Sequence, residues 1–290
     1  MIFHTRSKTL RFLVAESEPP EARERRRRSV GRSSGETYIE TLGRIEPDAE
    51  CDRVKPADAD ASLPSRAALQ DYHAVFLTGS PLHLWQDSPE VRRELEFMRA
   101  VFASGTPAFG SCAGLQVATV AAGGTVRPMG RRREAGFARR IVPTACGRVH
   151  PMLAGRPAAY DAPAIHTDEV AALPPGARLL ASNGVTQVQA AEIRHEGGIF
   201  WGTQYHPELP MGDIAAALRR QAADLIEHDL ARSEDDVEVI AGWVDELAEE
   251  PDRVDLLWRL GLSADVADVH GRTTEIANFI GHLVKGGGCN

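Results

Sequence analysis

A cysteine at position 112 lies in a stretch whose residues suit a catalytic nucleophile. Residues 109–116 read Phe-Gly-Ser-Cys-Ala-Gly-Leu-Gln, so a short apolar strand runs into a Gly-x-Cys-x-Gly turn and a helix begins at once. This is the nucleophile-elbow arrangement with Cys in place of Ser. The flanking glycines let strand and helix cross closely, and the helix N-terminus stabilises a thiolate. The pattern predicts that Cys112 is a nucleophile; the alternative is a buried structural cysteine beside a turn.

A histidine and a glutamate two residues apart could serve this nucleophile. Residues 200–208 read Phe-Trp-Gly-Thr-Gln-Tyr-His-Pro-Glu, and on an extended segment His206 and Glu208 share one side. A cysteine nucleophile needs an imidazole that takes its proton and later protonates the leaving amine. That imidazole needs an acceptor that fixes its tautomer and stabilises its cation. We therefore predict a triad of Cys112, His206 and Glu208.

Strands that alternate with helices must position these residues. The apolar patterns predict strands at 11–15, 52–55, 72–78, 107–110, 137–142, 158–160, 178–182, 188–193 and 198–201. They predict helices at 37–45, 90–103, 115–122 and 213–228, the last capped by Asp213, and further helices to the end of the chain. The polar segment 16–35 is predicted to be a loop. The alternation indicates an α/β fold with a mostly parallel central sheet and helices on both faces.

The two motifs together resemble those of class I glutamine amidotransferases, as found in GMP synthetase and anthranilate synthase. In that family the elbow reads G-x-C-x-G-x-Q and the later motif reads Q-x-H-P-E, which residues 110–116 and 204–208 match. Weaker matches lie at 77–81, 133–136 and 165–168. The resemblance runs from about residue 10 to 210. It implies a flavodoxin-like catalytic domain over residues 1–228, and residues 229–290 then form a C-terminal helical extension.

The resemblance also implies what each motif residue does. Cys112 would be acylated by the γ-carbonyl of a glutamyl group, His206 would shuttle the proton, and Glu208 would orient His206. The oxyanion would be held by the backbone N–H groups of Ala113 and of Ser80 or Gly79. The residues expected to bind the substrate are Gln116, His166 and Asp168. Two departures from the family pattern are Ser80 in place of glycine and Ser111 in place of an aliphatic residue.

Three functions are compatible with these motifs. The chain could be a glutaminase that releases ammonia for a separate synthase, because it contains neither a G-x-x-x-x-G-K-[ST] loop nor an S-G-G-x-x-S loop. It could instead be a self-sufficient hydrolase of γ-glutamyl amides, similar to the γ-glutamyl-amine hydrolases of amine catabolism. A non-catalytic binding or regulatory relative is the third alternative. The chemistry requires no metal or organic cofactor, so none is predicted.

Composition narrows the class of protein further. The formal net charge of −8 disfavours nucleic-acid binding, and no stretch reaches the roughly 20 apolar residues that a membrane span needs. Cysteines 51, 112, 146 and 289 show no paired spacing, which favours the reducing cytoplasm. The abundance of Ala, Gly and Arg is typical of a GC-rich bacterial gene. The arginine run at 23–28 is predicted to be solvated, and the apolar stripe over 237–260 to pack on the parent domain or to form a homodimer.

Overall fold

The computed structural model describes residues 9–130 and 132–286, so Cys289 lies outside the described residues. The strands within them are β1 Arg11–Ala15, β2 Glu50–Val54, β3 Ala74–Leu77, β4 Ala108–Ser111, β5 Thr125–Pro128, β6 Glu134–Pro143, β7 Tyr160–His166, β8 Asp168–Ala172, β9 Arg178–Ser182, β10 Ala190–His195 and β11 Gly198–Thr203. The α-helices are α1 Pro20–Val30, α2 Ser34–Ile45, α3 Arg66–Leu69, α4 Pro89–Ser104, α5 Ala113–Ala121, α6 Met211–Arg220, α7 Ala222–Glu227, α8 Glu234–Glu249, α9 Val254–Leu260, α10 Val269–Arg272 and α11 Thr274–Phe279. A π-helix over Ile280–Lys285 follows α11.

The central sheet has the strand order β2-β1-β3-β4-β11-β10-β9-β6-β7. From β2 to β11 the neighbouring strands are parallel, and from β11 to β7 they are antiparallel. Strands β5 and β8 form a separate antiparallel pair. The predicted α/β fold is confirmed. Because β3, β4 and β11 are adjacent and parallel, the segments that follow them meet at one edge of the sheet.

The parallel strands are buried on both faces, which explains their uninterrupted apolar sequences. In β1, Leu13 and Ala15 pack into a cluster with α4 and α5, whereas Phe12 and Val14 pack into a cluster with α2 and α11. Phe279 of α11 lies with its ring centroid 5.5 Å from that of Phe76 in β3. The C-terminal helices therefore form part of the cover of the sheet.

A third apolar cluster joins the C-terminal helices to the rest of the chain. Val237, Val244 and Leu247 of α8 are buried against Ile214 and Leu218 of α6. The apolar stripe of this region is therefore covered by the same chain. In the described part of the chain, no helix is long and apolar enough to cross a membrane.

The prediction of a loop over 16–35 is wrong, since this segment contains α1 and the start of α2. Helix α2 begins with a capping box between Ser33 and Glu36. Helix α1 lacks an apolar face, and ion pairs to distant residues hold it instead: Arg23 binds Asp58 at 2.6 Å and Arg26 binds a carboxylate on α6 at 2.7 Å. A local composition rule cannot detect partners this far along the chain.

Other predicted elements also need correction. The carboxylate that binds Arg26 belongs to Asp213, which lies in the first turn of α6 and is not its cap; Pro210 is the N-cap residue. The helix predicted over 213–228 is broken at Gln221 into α6 and α7. The strand predicted over 158–160 is β7, which extends to His166. Strands β5 and β8 were not predicted because both are short and largely polar in sequence.

Candidate active site

Cys112 lies at the turn between β4 and α5 in an uncommon backbone conformation. Its φ of 54° and ψ of −108° are strained for a residue with a side chain. A Cβ on Gly110 would lie 3.0 Å from the Cα of Gly114, and a Cβ on Gly114 would lie 2.8 Å from the carbonyl oxygen of Leu77. Both glycines are therefore required by the close crossing of strand and helix, as the motif predicts.

Strand pairing brings the His-Pro-Glu segment to this turn. Ser111 at the end of β4 pairs with Thr203 at the end of β11, and the N–H of Cys112 donates to the Thr203 carbonyl at 2.7 Å. Beyond β11, Nδ1 of His206 lies 2.7 Å from Oε1 of Glu208. Cys112, His206 and Glu208 are 6%, 8% and 5% exposed, so the three predicted catalytic side chains meet in a buried place.

The charges around His206 favour its protonated form. Burial lowers the pKa of His206, but the Glu208 carboxylate and a hydrogen-bonded contact with the Cys112 sulfur raise it more, to about 10. An imidazolium that lies between a sulfur and a carboxylate stabilises the thiolate in its turn. The arrangement can therefore supply both a nucleophile and a proton donor at neutral pH.

The loop after β3 approaches His206 closely. A Cβ on Gly79 would lie 2.6 Å from Cε1 of His206, so only glycine fits at this position. The Ser80 hydroxyl donates to the carbonyl of Ser17 at 2.8 Å and accepts from the N–H of Leu82 at 3.2 Å, which turns the side chain away from the cysteine. Ser80 therefore replaces glycine without filling the space at the predicted oxyanion position.

The backbone groups predicted to hold the oxyanion are free to do so. In the described part of the chain, the N–H groups of Gly79 and Ser80 donate to no other group. Ala113 is the first residue of α5, so its N–H has no acceptor within the helix. These three donors come from the ends of β3 and β4, the two strands that flank the turn at Cys112.

Of the residues predicted to bind substrate, Gln116 and His166 are already bonded within the protein. Nε2 of Gln116 donates to the Asp168 carbonyl at 3.0 Å. Nδ1 of His166 lies 2.9 Å from the same carbonyl, and Nε2 lies 2.8 Å from Oε2 of the buried Glu134. Because both ring nitrogens of His166 have protein partners, this residue orients the β7–β8 turn and has no ring nitrogen left for a ligand.

Asp168 has an oxygen to spare. Oδ2 of this carboxylate lies 2.7 Å from Nδ1 of His83, whereas Oδ1 is buried without a hydrogen-bond partner in the described part of the chain. No ligand spacing in the sequence singles out His83, which is 85 residues away from Asp168 and is joined to it only by the fold. The pair leaves one carboxylate oxygen available to a positively charged ligand group.

Ser111, the second departure from the family pattern, has a structural partner. Its hydroxyl lies 2.9 Å from the phenol oxygen of Tyr38, and both side chains are buried. Burial raises the pKa of Tyr38 well above its usual value. The phenol therefore stays neutral and satisfies the Ser111 hydroxyl, so the polar residue is tolerated next to the nucleophile.

One cavity of about 850 Å³ opens onto these groups. Cys112, His206 and Asp168 line its deep part, which we call the floor. Arginines of α1 and α6 line its outer part, which we call the rim. The run at 23–28 was predicted to be solvated, and no local pattern indicates that it faces the site. Among the described residues, no group of three or more His, Cys, Asp or Glu is placed to hold a metal ion.

Comparison with known proteins decides the family. The family model for glutamine amidotransferase class-I matches residues 39–223, which include the elbow and the His-Pro-Glu segment. The chain belongs to the class I glutamine amidotransferase family. The predicted family is confirmed, and so is the predicted class of reaction, hydrolysis of glutamine or of a γ-glutamyl amide.

Two relatives show how far the likeness extends. A Pseudomonas protein named gamma-glutamyl-L-1-hydroxyisopropylamide hydrolase is 34% identical over 95% of this chain and 93% of its own length. A glutamine-hydrolysing GMP synthase from Thermomicrobium roseum is 32% identical over 62% of this chain, and the match spans only 32% of that enzyme.

Solved structures agree on the fold of this glutamine amidotransferase relative. A glutamine amidotransferase from Thermotoga maritima covers 89% of this chain and is covered completely, with a TM-score of 0.59 at 17% identity. One from Methylobacillus flagellatus gives the same TM-score at 19% identity, with 94% of each chain covered. At these identities the likeness supports the fold and carries no argument about the substrate.

Proposed function

We propose that this chain is a self-sufficient hydrolase of γ-glutamyl amides, with Cys112 as nucleophile, His206 as acid and base, and Glu208 as the acceptor that orients His206. The observation that carries the proposal is the meeting of these three side chains beside free backbone donors. The choice of a self-sufficient enzyme is supported by the Pseudomonas relative, which matches 95% of this chain and hence most of the C-terminal helices.

The first half of the reaction forms a thioester. The Cys112 thiolate attacks the γ-carbonyl carbon, and the oxyanion accepts hydrogen bonds from the N–H groups of Ala113 and of Ser80 or Gly79. The His206 imidazolium then gives its proton to the amide nitrogen. The carbon–nitrogen bond breaks, the amine leaves, and the glutamyl group stays on the sulfur.

The second half of the reaction releases glutamate. Neutral His206 takes a proton from a water molecule, which attacks the thioester carbonyl. The carbon–sulfur bond breaks and the thiolate is restored beside the imidazolium. The sum is one amide and one water converted to glutamate and an amine. Glu208 holds His206 in one orientation throughout through the 2.7 Å bond to Nδ1.

The floor also offers a place for the α-ammonium group of the glutamyl moiety. The free Oδ1 of Asp168 is buried and lines the cavity, and a carboxylate oxygen there would accept from an ammonium. We assign this contact to Asp168 and the orientation of the β7–β8 turn to His166 and Gln116. Within this proposal, residues 1–228 form the catalytic domain and residues 229–290 the helical extension that completes its cover, and the enzyme acts in the cytoplasm.

A second candidate function is supply of ammonia to a separate synthase. It is favoured by the matches to GMP synthases, including a glutaminase-type chain of a GMP synthase from Methanothrix thermoacetophila that is 34% identical over 36% of this chain. The two functions differ in what stimulates turnover. A hydrolase acts on its amide alone, whereas an ammonia donor has weak glutaminase activity that rises when its synthase and acceptor are added.

The deciding experiment is a turnover screen of the purified chain with glutamine and a panel of γ-glutamyl alkylamides, in which glutamate and free amine are both measured. The proposal expects at least one alkylamide to be hydrolysed faster than glutamine without any added protein. Hydrolysis of glutamine alone, at a rate that rises only with a synthase, would favour the second candidate. Turnover by a Cys112→Ala variant equal to that of the unmodified chain would reject both.

A further inference from the structure

The rim of the cavity carries positive charge that no carboxylate balances. Arg25 and Arg28 of α1 and Arg220 of α6 line it. In the described part of the chain, Arg25 and Arg220 have no carboxylate within ion-pair distance; Arg220 donates only to the hydroxyl of Ser29, at 2.7 Å. The pair between Arg28 and Glu24 is exposed on both sides, and such pairs stabilise little.

Neighbouring charges worsen the position of Arg220. Burial lowers the pKa of Arg220, and the charge of Arg26 lowers it further, whereas Asp213 acts in the opposite direction. Asp213 is already bound by Arg26 at 2.7 Å and by Arg32 at 2.6 Å. One carboxylate therefore faces three guanidinium groups, and an added anion would relieve their repulsion.

Acidic side chains of the same cavity do not supply that anion. Asp168 is bound to His83, Glu208 to His206, and Asp224 to Arg133. Glu18 is buried and accepts from the N–H of Ser34 at 3.2 Å. The charge of the cavity is thus divided, with anionic groups that are already partnered and guanidinium groups at the rim that are not.

The depth of the cavity relates this rim to the reaction. Cys112 at the floor is buried, whereas Arg25, Arg28 and Arg220 are exposed. About 850 Å³ is room for a ligand much larger than one amino acid. A substrate whose γ-carbonyl carbon contacts Cys112 can therefore extend from the floor to the rim, and its outer end would meet the guanidinium groups.

We propose that the preferred substrates are γ-glutamyl amides whose amine portion ends in a carboxylate or a phosphate, and that Arg25, Arg28 and Arg220 bind this group. This inference rests on the hydrolase function proposed above and names its class of substrate. Guanidinium groups suit the task because they bind carboxylate or phosphate oxygens through two parallel hydrogen bonds. Hydrolysis of such an amide follows the two half-reactions already given and releases an anionic amine.

The test compares pairs of substrates that differ in one charged group. The carboxylate pair is the γ-glutamyl amide of 5-aminopentanoate and that of its neutral carboxamide; the phosphate pair is γ-glutamyl phosphoethanolamine and γ-glutamyl ethanolamine. We expect kcat/KM for the anionic member of at least one pair to be about tenfold higher or more, as expected of a hydrogen-bonded charge pair. In the double variant Arg25→Gln/Arg220→Gln this ratio should fall to about one.

The matched control is Arg27→Gln, on the same helix. Arg27 pairs with Glu36 at 2.6 Å and does not line the cavity, so this variant should keep the preference for the anionic substrate. Equal values for both members of each pair would overturn the inference. It would also be overturned if the double variant weakened glutamine as much as the anionic amide, because the arginines would then bind the α-carboxylate of the glutamyl group.

A binding measurement separates this inference from the proposed function. In a Cys112→Ala chain, calorimetry should show the anionic amide binding about tenfold more tightly than its neutral partner, whether or not either is hydrolysed. Preferential binding without hydrolysis in the unmodified chain would reject the hydrolase and keep the anionic ligand. Hydrolysis of both members without preferential binding would reject the anionic ligand and keep the hydrolase.

Discussion

The floor and the rim of the active-site cavity are built in opposite ways. At the floor, Gly79 and Gly114 allow backbone and side chains to approach more closely than any other residue would permit, and the reacting groups are buried. At the rim, arginines on α1 and α6 are exposed and have few partners. The contrast indicates that the reaction is fixed by short motifs at strand ends, whereas the choice of substrate is left to helices that can vary.

The largest effect that tests this contrast is loss of the nucleophile at the floor. Cys112→Ala should lower kcat by about 10⁴-fold or more, because the thioester can no longer form. The half-buried Cys146 offers the matched control, and Cys146→Ala should keep nearly full activity. Steady-state kinetics on both variants measures the difference. Similar activity of the two variants would remove Cys112 from the mechanism.

Loss of the orienting carboxylate should have the next largest effect. Glu208→Gln should lower kcat by roughly 10² to 10⁴-fold, as the tautomer and the charge of His206 are no longer fixed. Because Glu208 raises the pKa of His206 to about 10, its removal should also move the alkaline limit of kcat/KM to lower pH. A pH profile measures this shift, and an alkaline limit that stays in place would separate Glu208 from His206.

A single methyl group tests how closely the floor is packed. Gly79→Ala places a Cβ 2.6 Å from Cε1 of His206, so the ring must move and kcat should fall by about 10²-fold. Gly43, on the exposed face of α2 with open space around it, supplies the control. Gly43→Ala should leave kcat unchanged and stabilise the fold by up to about 1 kcal/mol. Full activity in Gly79→Ala would mean that the floor is looser than described.

The smallest effect concerns stability behind the floor, where Ser17 donates to the buried Glu94 at 3.0 Å. Burial raises the pKa of Glu94 from 4.5 to about 7. The folded state therefore holds this proton more tightly than the unfolded state does, and the stability it provides is complete below pH 4.5 and lost as pH rises towards 7.

Glu94→Gln cannot ionise and keeps a hydrogen-bonding group for Ser17. The variant should gain about 2 to 3 kcal/mol relative to the unmodified chain between pH 5 and pH 8. Urea unfolding at the two pH values measures the gain. A difference between the two chains that does not change with pH would show that the Glu94 carboxyl titrates normally.

The same contrast explains what the sequence could predict. Cys112, His206 and Glu208 lie in two short motifs whose local geometry is legible from residue types, and the parallel strands that carry them are continuous apolar runs. The role of His83 could not be predicted, because its contact with Asp168 joins residues 85 positions apart. Helix α1 was missed for a similar reason: its ion pairs with Asp58 and Asp213 are products of the fold.

The central claim is that the Cys112 sulfur becomes acylated by the glutamyl group. Rapid acid quenching during turnover of a γ-glutamyl amide, followed by mass spectrometry of the intact chain and its peptides, tests this directly. The account predicts a mass increase of one glutamyl group, located on the peptide that contains Cys112, and its disappearance once the substrate is consumed. Product formation with no adduct under any quench time, or an adduct on another residue, would contradict it.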